Sequence, residues 1–164
     1  MITASAVSPV WAGAWTTSGN AQLSSSYDDN VLLSVTNPTG GWFNAADISG
    51  RLAFEKDQLI FHVDPRLLAT RYKSETDLNR TERYLTVFGQ YATLQSVSSL
   101  NVTAAQDTTL TSELGLTGLS AANKRHRSES ATLSTRYFFN ETVDANLQLY
   151  ATANRYLDAE ATGL

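Results

Sequence analysis

Hydrophobic and polar residues alternate strictly along residues 142–154. The odd positions of this segment carry valine, leucine and alanine, whereas the even positions carry threonine, aspartate, asparagine, glutamine and tyrosine. A period of two places the two sets on opposite faces of a β-strand and does not fit an amphipathic helix. The segment therefore predicts a strand with one apolar face and one polar face.

Seven segments of the chain have this strand character, and the connections between them alternate in length. The connections after the first, third and fifth segments are long, and the other three are short. Short turns at one end and long loops at the other are typical of bacterial outer-membrane barrels. We predict an all-β, antiparallel up-and-down meander that forms part of a transmembrane β-barrel. The predicted strands span residues 19–27, 46–55, 58–72, 81–93, 98–107, 128–139 and 142–154.

The composition of the polar face separates a membrane barrel from a soluble β-sandwich. A sandwich face that meets bulk water is usually rich in lysine and glutamate, but here serine, threonine, asparagine and glutamine dominate. Aromatic residues cluster near the predicted strand ends, as expected at a membrane interface. Pro65 falls inside the third strand and predicts a bulge or a local disruption there, because proline has no N–H. The clustered aromatic residues are Trp15, Tyr27, Trp42, Phe43, Tyr72, Phe138, Phe139 and Tyr156.

Composition narrows the class of protein further. The chain has 164 residues, of which 42% are hydrophobic and 17% are charged, with a net charge of −4. The length suggests one domain. The absence of cysteine excludes disulfides and thiolate metal sites, and the mild acidity argues against nucleic acid as a partner. No apolar run approaches the roughly 20 residues of a membrane helix.

The two ends of the chain predict a domain division and a truncation. Residues 1–14 are small and apolar and end in Ala12-Gly13-Ala14, which fits the small-x-small pattern of signal cleavage. We interpret them as the remnant of a signal peptide, with a disordered leader as the alternative. Residues 15–164 are then the N-terminal part of an outer-membrane barrel. Such barrels have an even number of at least eight strands, so about seven predict a fragment.

Charged and amide side chains on the predicted polar face are the candidate lumen-lining residues. His62 could also serve a catalytic mechanism with a lumen serine such as Ser49, but a hydrogen-bonded lumen network is the simpler interpretation. We therefore predict no catalytic residue, no metal site and no cofactor. The candidate lumen-lining residues are Arg51, His62, Asp64, Arg66, Arg136, Asp144, Asn146 and Gln148.

A basic cluster precedes the sixth predicted strand, where the chain would re-enter the outer leaflet. Lys124, Arg125 and Arg127 are candidates for contact with lipopolysaccharide phosphates, because paired arginines suit phosphate. A solvated loop is the alternative. Asp28, Asp29 and Asn30 could ligate calcium, but the spacing lacks a full loop pattern and also suits a turn.

Three short motifs resemble those of uncharacterised proteobacterial outer-membrane barrels linked to exopolysaccharide or exosortase systems. They are the segment 27–31 after a short strand, residues 106–109 before a long loop, and residues 125–127 before a descending strand. The resemblance covers most of the chain by pattern and transfers no catalytic residue. It implies a Gram-negative outer-membrane location, with membrane lipid, lipopolysaccharide, polysaccharide and export-system proteins as partners.

These observations together predict a non-enzymatic, porin-like outer-membrane barrel that acts as a pore or as a component of polysaccharide export. Two alternatives belong to other classes. One is a soluble or surface-anchored, adhesin-like β-domain, and the other is a barrel enzyme acting on lipid.

Overall fold

One antiparallel sheet makes up almost the whole fold. A computed structural model describes residues 2–7, 15–31, 38–108 and 125–157 of the chain. Eight strands pair in chain order, each with its neighbours in sequence. This confirms the predicted all-β, up-and-down meander, and β2 to β8 correspond to the seven predicted strands. The strands are β1 (Ile2–Val7), β2 (Trp15–Asp28), β3 (Gly41–Lys56), β4 (Leu59–Tyr72), β5 (Arg80–Ala92), β6 (Ser96–Thr108), β7 (Arg125–Phe138) and β8 (Asp144–Tyr156).

The first strand lies within residues 1–14, where the sequence predicts the remnant of a signal peptide. Its backbone pairs with β2, so that Ile2 lies opposite Leu23 and Val7 opposite Ser18. The pairing adds one strand to the predicted seven. The signal-peptide origin of this segment stays a prediction.

The connections follow the predicted long and short alternation. Residues 29–40, 73–79 and 109–124 join strands at one end of the sheet, which we call the long-loop end. Residues 57–58, 93–95 and 139–143 join strands at the other end, the short-turn end. The helix in the described ranges is a single 3-10 turn at Thr76–Leu78. No helix in those ranges is long and apolar enough to cross a membrane.

The two-residue turn between β3 and β4 sets their register. Asp57 has a φ of 47°, a left-handed conformation that aspartate tolerates better than most residues. Lys56 pairs with Leu59, and the same register continues along the hairpin to Phe43 opposite Tyr72.

Pro65 interrupts the β3–β4 ladder without shifting it. Ser49 pairs with Arg66, and Leu52 pairs with Val63, but the two positions between them form no ladder pairs. The register is the same on both sides, so no extra residue is inserted. The predicted disruption is therefore present, as a gap in the ladder where proline lacks an N–H.

Cross-strand register defines two chemically distinct faces, because directly opposite residues point to the same side of a sheet. On the apolar face, one continuous row holds only aliphatic side chains: Leu52, Val63, Val87, Val102, Ala131 and Ala151. On the polar face, a row from β5 to β8 holds only amides and hydroxyls: Gln90, Ser99, Ser134 and Gln148.

Burial in this sheet is inverted relative to a water-soluble domain. Val31 is the one buried hydrophobic side chain in the described residues, whereas the Glu82 side chain on the polar face is 0% exposed. Leu23 and Ile48 on the apolar face are 58% and 51% exposed, whereas their chain neighbours on the polar face are partly covered. No second layer of described residues covers the apolar face. The greater coverage of the polar face is what a single sheet curved towards that face produces.

The exposed residues of β4 and β5 show the same inversion. Arg66 is the exposed residue on the polar side of these two strands. The exposed residues on their apolar side are Leu59, Pro65, Leu67, Arg71, Arg83, Leu85 and Tyr91.

The turn between β7 and β8 generates a stability prediction. Asn140 Oδ1 accepts hydrogen bonds from the Thr142 N–H at 3.0 Å, the Val143 N–H at 2.9 Å and the Thr142 hydroxyl at 3.0 Å. We expect Asn140→Ala to lower the free energy of unfolding by about 1 kcal/mol, because these donors lose their acceptor. Denaturant titration in detergent micelles measures the effect. Glu141→Ala in the same turn is the control, and an equal loss in both variants would contradict this role of Asn140.

Candidate functional site

The charged residues of the strands are sorted by face. Of the carboxylates in β2 to β8, only Glu129 lies on the apolar face, and four of the arginines accompany the remaining carboxylates on the polar face. The polar face is therefore where most of the acid–base and ion-pair chemistry is concentrated. Its carboxylates are Asp28, Asp47, Glu55, Asp64, Glu82, Asp107 and Asp144, and its arginines are Arg51, Arg66, Arg80 and Arg136.

The centre of this face holds a bidentate ion pair across the β3–β4 hairpin. Arg51 Nε lies 2.5 Å from Asp64 Oδ1, and Arg51 Nη2 lies 2.7 Å from Asp64 Oδ2. His62 Nδ1 lies 3.0 Å from the same Oδ2 atom, but forms no hydrogen bond there. Asp64 is thus held mainly by the guanidinium, with the imidazole at ion-pair distance as a second partner.

A second bidentate pair lies on the other side of the ladder gap. Arg66 Nε donates to Asp47 Oδ1 at 2.9 Å, and Arg66 Nη2 donates to Asp47 Oδ2 at 2.5 Å. The Arg66 guanidinium carbon also lies 5.9 Å from the centroid of the Tyr84 ring. The two pairs flank the break at Pro65, so side-chain bonds tie the strands together where backbone bonds are absent.

The two ion pairs border a cavity on this face with a volume of about 520 Å³. Its walls combine hydroxyl, amide, guanidinium and carboxylate groups with one aromatic ring. Such a surface can hydrogen-bond a hydrated or polyhydroxylated solute. The polar side chains that line it are Ser18, Asn20, Ser49, Arg51, Asp64, Arg66, Tyr84 and Thr86.

Glu82 is buried near the long-loop end of the polar face, where two side chains contact its carboxylate. Tyr84 donates its hydroxyl to Glu82 Oε2 at 3.3 Å, and Arg80 Nε lies 3.5 Å from Oε1. A buried carboxylate needs such partners because desolvation of a lone charge is costly.

The histidines occupy settings that do not resemble a nucleophile–base pair. The His62 ring stacks on Phe88 with a centroid separation of 4.9 Å. No serine hydroxyl in the described residues hydrogen-bonds it, and Ser49 lies opposite Arg66. His126 Nδ1 lies 3.0 Å from Asp107 Oδ1. The described residues also contain no group of three potential ligands that could hold a metal ion.

All eight candidate lumen-lining residues lie on the polar face, but they form two groups. Arg51, His62, Asp64 and Arg66 meet around the hairpin of β3 and β4. The other four lie on β7 and β8: Arg136 donates to Asp144 at 2.7 Å, Asn146 pairs with Arg136, and Gln148 pairs with Ser134. Whether this face lines a lumen stays a prediction.

The three basic residues that precede the sixth predicted strand are only partly described by the structure. Arg125 and Arg127 lie in β7 on the apolar face, and Lys124 lies outside the described residues. In the acidic segment after β2, the Asn30 N–H donates to Asp28 Oδ1 at 2.9 Å, which is the local bond of an Asx turn. This bond favours the turn interpretation of Asp28, Asp29 and Asn30.

Two members of the polar-face network, Asp47 and Tyr84, do not appear among the residues singled out from sequence, which include Glu82 and Glu55 as possible lumen charges. Asp47, Glu82 and Tyr84 fall on the polar face of predicted strands, but alternation alone does not show which of them meet. The turn at residues 57–58 carries the missing signal, because a two-residue hairpin sets the register. That register places Asp47 diagonally across from Arg66.

Comparisons with known proteins add no relative. No protein family, no curated protein and no solved structure matches the chain significantly.

The Asp47–Arg66 pair generates a double-mutant prediction. We expect Asp47→Asn and Arg66→Gln each to destabilise the protein, with a coupling energy of up to about 1 kcal/mol because both groups are partly solvated. Denaturant titration of the two single variants and the double variant gives the coupling. The control cycle combines Asp47→Asn with Arg136→Gln, which is bonded to Asp144 elsewhere on the sheet. Zero coupling in the first cycle, or equal coupling in both, would contradict a specific pair.

Proposed function

We propose that this chain forms part of a transmembrane β-barrel in a bacterial outer membrane, and that the barrel is a non-enzymatic pore or a component of polysaccharide export. One observation carries the proposal: the aliphatic residues of the apolar face are uncovered, whereas Glu82 and Thr70 are buried on the other face. In hydrocarbon an aliphatic face needs no protein layer, whereas in water it would be left exposed over the whole sheet.

The height of the apolar band supports a bilayer as the covering phase. On β4, the apolar face is free of charge from Leu59 to Ala69, and Arg71 follows. Ten residue steps correspond to about 33 Å along a strand. A tilt of about 40° reduces this to about 25 Å, which is the height of the lipid-facing band in outer-membrane barrels.

Aromatic residues mark the two borders of this band. At the long-loop end, Tyr27 and Trp42 pack on the apolar face with ring centroids 5.5 Å apart. The short-turn end has a larger set on the same face: Trp15, Phe54, Phe61, Tyr91 and Tyr137. Of the aromatic residues that cluster near the predicted strand ends, Phe43, Tyr72, Phe138 and Tyr156 lie on the polar face and would not face lipid. Proximity to a strand end does not determine the side of the sheet.

The polar face supports a water-filled interior. Its hydroxyl, amide and ion-paired groups can hydrogen-bond a hydrated solute such as a saccharide, and its carboxylates outnumber its arginines. The described sheet is open, with unpaired outer edges on β1 and β8. Because unpaired strand edges are costly in hydrocarbon, the proposal requires further strands or other chains to close the barrel.

A charge placed at the middle of the apolar band tests membrane exposure. Leu133 lies between Leu100 and Leu149 in register, and Thr132 beside it points to the polar face. We expect Leu133→Arg to lower the free energy of unfolding in phosphatidylcholine vesicles by about 2–4 kcal/mol, since arginine would face hydrocarbon. The matched Thr132→Arg variant should cost much less. Denaturant titration and heat-modifiable gel migration of the intact protein measure folding.

Two results would contradict the membrane assignment. One is an equal loss in the Leu133→Arg and Thr132→Arg variants. The other is an intact protein that folds as a monomer in buffer without detergent and tolerates Leu133→Arg, as an adhesin-like soluble domain would.

The excess of carboxylates on the polar face predicts a weak cation preference of the reconstituted pore. Glu55 lies on this face near the short turns, so Glu55→Gln should reduce the reversal potential across a salt gradient in planar bilayers. Glu129→Gln removes the same charge from the apolar face and should leave the reversal potential unchanged. A protein that folds in the bilayer but shows no conductance would contradict the pore role.

A further inference from the structure

The charges on the apolar face are almost all positive. In β2 to β8 this face carries six cationic residues and a single carboxylate, Glu129, although the chain as a whole has a net charge of −4. Lys56 lies at the short-turn end. The five others lie at the long-loop end: Arg71, Arg83, Arg125, Arg127 and Arg155.

Register aligns most of these arginines along the border of the apolar band. Arg83 pairs with Gln106, Gln106 with Arg127, and Arg127 with Arg155. Neighbouring strands are about 4.8 Å apart, so the guanidinium groups emerge along one line that crosses four strands. Arg71 on β4 lies further towards the long loops, because Arg83 pairs with Leu67, four residues before Arg71. We call Arg71, Arg83, Arg127 and Arg155 the arginine belt.

The belt lacks the carboxylates that accompany arginines on the polar face. Among the described residues, Arg83 and Arg155 have no carboxylate within ion-pair distance. Arg71 donates only to neutral oxygens, those of Thr70, Arg80 and Thr81, at 2.5–2.9 Å. Arg127 is the exception, because its guanidinium bonds to Glu129.

Apolar residues adjoin the belt directly. Arg83, Gln106 and Arg127 line one shallow cavity of about 190 Å³ together with Leu85 and Ala104. A ligand in this cavity would contact guanidinium groups on one side and aliphatic side chains on the other. A phosphorylated lipid combines these two chemistries in one molecule.

We propose that the arginine belt binds the phosphate groups of lipid headgroups in the outer leaflet. This inference rests on the proposed function, since it needs the apolar face to lie in a membrane. Guanidinium is planar, always charged and suited to bidentate bonds with phosphate. On their own strands, Arg71, Arg83 and Arg155 directly adjoin the last aliphatic residue of the apolar face, which is where headgroup phosphates would meet the sheet. A free phosphate or an acidic protein would leave the adjoining aliphatic residues without a partner.

The test compares two double variants of the intact protein in detergent. Arg83→Gln/Arg155→Gln removes two belt charges, and Arg51→Gln/Arg136→Gln removes the same charge from the polar face. The probe is lipid A, a phosphorylated diglucosamine lipid, titrated in mixed micelles and followed by tryptophan fluorescence or thermophoresis. Its dephosphorylated form is the second ligand.

We expect the belt variant to bind lipid A roughly 25-fold more weakly, at about fivefold per arginine near a phosphate surface. The polar-face variant should bind like the unmodified protein. Dephosphorylated lipid should bind weakly to all three proteins. Glu129→Gln should strengthen binding, because it releases Arg127 from its ion pair.

Three outcomes would overturn the proposal: equal weakening in both double variants, equal binding of the dephosphorylated lipid, or displacement of lipid A by inorganic phosphate at similar concentrations. The last would identify a site for free phosphate. Failure of the belt is distinguishable from failure of the barrel. If Leu133→Arg disrupts folding in vesicles while the belt variant binds lipid A normally, only the present inference is wrong.

Discussion

The structure depends on one constraint: its sheet has a single layer, so the apolar face receives no cover from the described protein. In a soluble domain, leucines such as Leu147 and Leu149 would pack against a second sheet or a helix. Here the strand ladders satisfy most backbone groups internally, apart from the gap at Pro65, and such pairing is what the proposed membrane location requires. The remaining requirement is closure of the edges at β1 and β8. The uncovered face and the open edges therefore have one cause, since the described residues form a single open sheet.

The sorting of charge follows from this constraint. Under the proposed function, any charge in the middle of the apolar face would be costly; the carboxylates of β2 to β8 except Glu129 lie on the polar face, and the cations of the apolar face lie towards the strand ends. Arginines on that face can then form bidentate pairs across strands. The pairs of Arg51 with Asp64 and Arg66 with Asp47 lie beside Pro65, where the backbone ladder is interrupted. Side-chain chemistry thus supports the hairpin at its weakest point and also forms the wall of the cavity.

Period-two alternation was sufficient to predict the strands and their faces, because one face is apolar along most of its length. The strand predicted at residues 142–154, for example, is Asp144–Tyr156 in the structure. Alternation could not predict pairing between side chains, which depends on register. It also could not predict that Glu82 is buried, since burial arises from curvature of the whole sheet. The small and apolar residues 1–14 predict the remnant of a signal peptide, so the pattern did not indicate the strand β1 within them.

The arginines of the apolar face were visible in the sequence as breaks in the alternation. Arg83 and Arg127 occupy positions that the pattern would otherwise give to aliphatic residues. Read alone, each break looks like the end of a strand. Across the sheet, these arginines lie towards the long-loop end together with Tyr27 and Trp42, whereas the short-turn end has aromatic residues and Lys56. The two ends of the apolar face therefore differ in charge, and under the proposed function a phosphate-rich leaflet would face the long loops. The orientation needed to match the loop lengths is the same one, although loop length and face charge are independent properties of the chain.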